Sequence, residues 1–161
     1  MPTLTNMRYC GKCRALFFDG DANKGLCPAD GKGHSAIGYM FVLSYSVPET
    51  PNAQANWQQC GKCHVIFFDG YPDKGRCDAG GAHHGNRPHS FVIPHDVDGS
   101  QHAQKAWEYC TKCKAIFYDG DADKGHCAAG AGHERSPDAY RFVLTHDTPP
   151  SSGGKGEVKI D

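Results

Sequence analysis

No run of apolar residues in this sequence approaches the roughly 18 that a membrane-spanning helix needs. Its opening, "MPTLTNMRYC", has neither the basic start nor the apolar centre of a secretory signal. Membrane insertion is therefore not expected, and the compartment stays open between the cytoplasm and export by a non-classical route. Charge of one sign is missing too. Lys and Arg number 17 against 18 Asp and Glu, a net charge of −1, so no basic excess draws the chain to phosphate backbones. Lys12, Arg14 and Lys24 supply local basic character for single-stranded nucleic acid, but the neutral balance makes that the least favoured partner. Also lacking are a glycine-rich phosphate cradle, a Ser/His/Asp set and a recurring acid–base pair, so catalysis is not expected. Long helix-period patterns are scarce. With 20 Gly, 10 Pro and a mean hydropathy of −0.59, the composition suits short strands joined by turns.

What the sequence does have is one phrase written three times. "YCGKCRALFFDGDANKGLC" from Tyr9 returns as "QCGKCHVIFFDGYPDKGRC" from Gln59 and "YCTKCKAIFYDGDADKGHC" from Tyr109. Met7, Trp57 and Trp107 stand three residues before each first cysteine, and "YMFVL", "HSFVI" and "YRFVL" close the copies. These mark three complete units at 1–47, 48–97 and 98–147, followed by a Pro/Ser/Gly-rich tail at 148–161 that reads as flexible. A unit of about 45 residues is too small to hold a core alone and needs a staple.

The cysteines provide one. Nine of them, three per unit, cannot all pair as disulfides within the chain. Each unit instead reads C-x2-C, a third Cys and then a His: Cys10, Cys13, Cys27 and His34; Cys60, Cys63, Cys77 and His83; Cys110, Cys113, Cys127 and His133. Two thiolates in a tight knuckle, completed by Cys and His from a later loop, make a tetrahedral cage, and soft thiolates with one imidazole suit Zn(II), three ions per chain. Iron, a C-x2-C redox pair and partial disulfides are the weaker alternatives. In unit two His84 competes with His83. Register with "CAAGAGH" of unit three selects His83, whereas the longer "CPADGKGH" of unit one would select His84. Four protein ligands leave no open position for water, so the ions are expected to hold structure.

The Asp-Gly loops "DGDANKG", "DGYPDKG" and "DGDADKG" begin like a calcium loop, but Tyr71 displaces the second carboxylate in unit two and no bidentate Glu closes the pattern. They read as turns. If one aromatic per unit stays exposed beside them, it offers a stacking platform for a sugar, with hydroxyls bound by Asp and Lys. The candidates are Phe18, Asp19 and Lys24; Phe68, Asp69 and Lys74; Tyr118, Asp119 and Lys124. The Ala-Gln pairs at Ala53 and Ala103 suggest a helical turn in each linker. His64, His89, His95, His102, His126 and His146 fall out of register with the repeat and read as surface residues.

The pattern W-x2-C-x-K-C-x2-[IL]-F-[FY]-D-G, followed by K-G-x-C and A-G-x-x-H, resembles the Cys-rich tandem repeats found as accessory modules in bacterial, often secreted, proteins. Unit one departs from it with Met7 for Trp and one extra residue before His34. The resemblance implies a non-catalytic binding or attachment role, with carbohydrate or a cell surface as target. The expected fold is all-β, three zinc-stapled units of two or three strands in a pseudo-threefold arrangement. The expected function is a multivalent, lectin-like carbohydrate-binding module, and the alternative is a protein-interaction or structural adaptor.

Overall fold

The computed structural model describes residues 3–85 and 90–146, and within them every regular element is a strand. Each unit contributes three: β1 (Thr3–Cys10), β2 (Leu16–Phe18) and β3 (Ala36–Tyr45); β4 (Ala53–Gln59), β5 (Ile66–Phe68) and β6 (Phe91–Pro94); β7 (Ala103–Tyr109), β8 (Ile116–Tyr118) and β9 (Phe142–His146). In every unit the first strand is central and pairs antiparallel with the other two. It carries a bulge before its Met or Trp, where Asn6, Asn56 and Ala106 adopt positive φ. The bulge carbonyl accepts the amide of the Asp that opens the Asp-Gly loop, at 2.8 Å in all three copies. The Ala-Gln pairs thus begin strands β4 and β7 and form no helical turn. Pairing of Gln54 with Ile93 and of Gln104 with Leu144 overrides their local preference.

The units close on one another cyclically. The end of β3 pairs with β6 (Tyr45 with Phe91), β6 bridges to β9 (His95 with Phe142), and β9 pairs back to β3 (His146 with Phe41). At the opposite end the amides of Phe18, Phe68 and Tyr118 donate to the carbonyls of His64, Lys114 and Arg14, each in the next unit, at 3.1, 2.9 and 3.0 Å. All three units therefore meet their neighbours in the same way, a pseudo-threefold arrangement in a nearly closed sheet.

Alternation along the three-residue strands divides the interior. Leu16 and Phe18, with Ile66, Phe68, Ile116 and Tyr118, enter a main core built on Trp57, Trp107, Phe41, Phe91 and Phe142. Phe17, Phe67 and Phe117 point the other way, into a second layer that holds all nine cysteines with Ala15, Val65 and Ala115. Three of the histidines expected at the surface are buried: His64, His95 and His146. His95 stacks on Tyr140 at 3.6 Å and His146 on Tyr39 at 3.7 Å, each across a unit boundary. Contrary to expectation these two histidines are in register, each four residues after Phe91 or Phe142, and their tyrosine partners are equivalent too, two residues before Phe142 and Phe41. His102 and His126 are exposed, and His89 and the tail at 148–161 lie outside the described residues.

Candidate metal centres

The first and second cysteines of each unit sit on either side of the turn that joins its central strand to its short one. Cys10, Cys60 and Cys110 end or follow β1, β4 and β7, and a tight turn brings Cys13, Cys63 and Cys113 back. The turn is closed by amides of Arg14, His64 and Lys114 bonding the first-cysteine carbonyl at 2.9 Å. These three residues have φ of 73, 72 and 69°, a left-handed conformation that favours glycine, yet all carry long or ring side chains. Backbone amides point at the sulfurs as well: Cys13 and Cys113 donate to Cys10 and Cys110 at 3.5 Å, and Lys62 to Cys60 at 3.4 Å.

The third cysteine and the histidine arrive on a loop without regular structure. A turn after Cys27, Cys77 and Cys127 sends the chain back, and in unit one it absorbs the extra residue: Cys27 donates to the Lys32 carbonyl where Cys77 and Cys127 reach Gly81 and Ala131. Lys12, Lys62 and Lys112 pin this loop, donating to the carbonyls of Gly33, Gly80 and Gly130 at 2.9, 2.7 and 2.7 Å. In unit two the histidine delivered is His83, while His84 is exposed and lends only its carbonyl to Gly61.

The result is three buried sets of four ligand atoms, each within 4.8 Å of one another. Cys10 to Cys27, Cys60 to Cys77 and Cys110 to Cys127 measure 3.8 Å between sulfurs. The second cysteine lies 3.5 Å from the histidine Nδ1 in all three. A disulfide would need about 2.05 Å, and all nine cysteines are free. Metal–thiolate bonds near 2.3 Å and metal–imidazole bonds near 2.0–2.1 Å give tetrahedral edges of about 3.8 and about 3.5 Å, so the four side chains fit a tetrahedral ion. Electrostatics agree. Burial pulls His34, His83 and His133 down, but hydrogen bonds and charge from the thiols Cys10 and Cys27, and their counterparts, raise them to about 9. Cys10, Cys60 and Cys110 are driven below the ordinary thiol range, chiefly by hydrogen bonds from the other two cysteines of the cage, while Cys13, Cys63 and Cys113 are pushed up. A field that holds a proton on imidazole and a thiolate beside it also favours a cation.

Around each cage the repeat places a ring that sequence reasoning left unassigned. Phe17, Phe67 and Phe117 stack on His34, His83 and His133 at 4.7, 4.9 and 4.8 Å. Of the residues expected to form sugar platforms, Phe68 lines the cleft described below, and the others are buried or tied up. Phe18, Phe68 and Tyr118 are only 6, 8 and 5 % exposed and pack into the main core, so no fully exposed ring face stands beside the Asp-Gly loops. Lys24, Lys74 and Lys124 pair with Asp19, Asp69 and Asp119 at 3.0, 3.0 and 2.8 Å and close the Asp-Gly loop on itself.

The exposed aromatics are Tyr71 and Tyr140, 52 and 45 % accessible, and both line a cleft of about 370 Å³ between units two and three. Phe68, Tyr109 and Phe142 also line it, and Gln54, Ser136 and Asp138 add polar groups. The signal for this cleft was present in the sequence as a break in the repeat: Tyr71 stands where units one and three have Asp21 and Asp121. No protein-family model, curated protein or solved structure matches the chain.

Proposed function

We propose that this chain is a non-catalytic carbohydrate-binding module whose fold is stapled by three structural zinc ions. Zinc is supported by the donor set, three thiolates and one imidazole at tetrahedral edges, and by closure of each cage with protein ligands alone. The same closure argues against a metal-activated water.

The observation that carries the carbohydrate reading is the cleft between units two and three. Its volume suits a mono- or disaccharide, its tyrosine faces can cover the apolar C–H face of a pyranose, and Asp138 can accept from hydroxyls. Tyr109 Oη lies buried with no hydrogen-bond partner. At the corresponding interface between units three and one, Tyr9 Oη accepts from Arg14, which also pairs with Asp123 at 2.9 Å and stands 3.9 Å from Asp121. Where Tyr71 replaces the aspartate and Lys114 the arginine, the network shrinks to a 3.9 Å approach of Lys114 to Asp73, with no hydrogen bond to Tyr109 Oη. The reading therefore rests on one cleft, between units two and three, and departs from the expectation of three equivalent sites.

A glycan array probed with metal-loaded protein tests the reading, and binding to a defined set of pyranose termini is expected. Tyr71→Ala and Tyr140→Ala should each weaken it several-fold, since an aromatic contact contributes about 0.5–1.5 kcal/mol. A silent array removes carbohydrate as the ligand. Binding that survives both substitutions moves the site away from the cleft.

A further inference from the structure

We infer that the three metal cages form a closed ring, the loop before each third cysteine being seated on the cysteine knuckle of the next unit and two of the three histidine ligands bonded to it, so that the ions load and leave together. The inference rests on the cages holding metal and is independent of the ligand read for the cleft.

With Nδ1 turned to the thiolates, the far ring nitrogen of each histidine points out of its cage. His34 Nε2 lies 3.0 Å from the carbonyl oxygen of Cys63, a ligand of the second cage. His133 Nε2 lies 2.9 Å from the carbonyl of Cys13, a ligand of the first. A metal on Nδ1 leaves the proton on Nε2, so in both cases the imidazole donates and the carbonyl accepts, fixing tautomer and ring orientation. The loop preceding each third cysteine touches the same carbonyls. A methyl group at Gly25, Gly75 or Gly125 would meet the oxygen of Cys63, Cys113 or Cys13 at 2.1, 2.2 or 2.2 Å, all three glycines having positive φ. Amides of Leu26 and His126 approach the Cys63 and Cys13 carbonyls at 3.3 and 3.4 Å. The order is cyclic: unit one seats on two, two on three, three on one.

The position of the second-cysteine carbonyl depends on the knuckle, and the knuckle depends on its ion, because the left-handed residue that follows it costs free energy in the absence of a constraint. Losing the ion in one cage therefore releases the acceptor that orients the neighbour's histidine. Partners of this kind typically change metal affinity 10- to 100-fold, and the effect is reciprocal between cages. The ring has one weaker joint. His83 Nε2 is buried without a hydrogen-bond partner, so cage two lacks the orienting contact that cages one and three have.

Native mass spectrometry of the wild-type chain, titrated with zinc to half saturation, reads this directly. The ring predicts that chains with no ion and with three dominate, and that the minor two-ion species lacks its ion at cage two, with Cys60, Cys63 and Cys77 open to alkylation. Independent, equal cages would instead leave about three-quarters of the chains with one or two ions, and that distribution overturns the inference while leaving the zinc reading intact. Failure to bind zinc at all removes both. Gly125→Ala crowds the Cys13 carbonyl without replacing a ligand. It should convert the distribution towards partly loaded chains and lower the affinity about tenfold, and an unchanged distribution counts against the ring. Should that variant fail to fold, the wild-type titration decides alone.

Discussion

Glu108 lies in the central strand of unit three with neither carboxylate oxygen hydrogen-bonded, although its side chain is buried. Arg141 and Arg135 stand off at 3.5 and 3.9 Å, and burial pushes the carboxyl up to about 7. The corresponding residues are Arg8, which reaches the carbonyls of Tyr39 and Gly38, and Gln58. A buried, under-paired carboxylate costs more than it returns. Glu108→Gln should therefore stabilise the protein by about 1 kcal/mol when denaturant unfolding of the zinc-loaded chain is measured at pH 8. A loss of stability would mean that the arginines hold the ionised group more tightly than their distances indicate. The residue scale also shows what single positions conceal. Lys12, Lys62 and Lys112, placed between the paired cysteines, each anchor the loop that brings the last two ligands.

The short strands show why periodicity reached the right elements and the wrong exposure. A run such as Leu16-Phe17-Phe18 announces a strand with two apolar faces, but it does not say that the neighbouring units cover both. Phe18 was available to solvent only if its own unit was all that packed on it. In the closed arrangement it enters the common core, while Phe17 goes to the cage histidine. Stacking on the ligand ring predicts a specific effect. Phe117→Leu keeps the site apolar but removes the flat contact with His133, and should cost about 1 kcal/mol of stability. It should also speed zinc release to a chromogenic chelator several-fold. Unchanged release with lowered stability would make Phe117 a core residue only.

At the scale of the whole molecule, the main core draws on all three units, with Trp57, Trp107, Phe41, Phe91 and Phe142 in one cluster. Structural zinc contributes on the order of 10 kcal/mol per site, comparable with the roughly 5–15 kcal/mol that a domain has in total. Stripping the ions should therefore unfold the chain in one transition, followed by loss of far-ultraviolet strand signal and a shift of tryptophan fluorescence together. An excised third unit, 98–147, should stay unfolded even with zinc, because Trp107 and Phe142 would lose the partners Tyr9, Phe41 and Trp57 that other units supply. A folded, zinc-bound single unit would show that each repeat carries its own core.

The three Cys3His sets, apart from the choice of His83 over His84, and the all-β character of each unit were determined by the sequence alone, because each cage draws on residues within about 25 positions of one another and on a spacing written three times. Which histidines are buried, where the aromatics turn and how one cage leans on the next were decided only by the closure of three units into a ring. Those contacts join residues as far apart as Cys13 and His133, and such long-range pairing leaves no period in the chain. The cleft lies between these cases: a tyrosine that breaks the repeat marks its place, but its walls come from two units, and only their docking makes it a cleft.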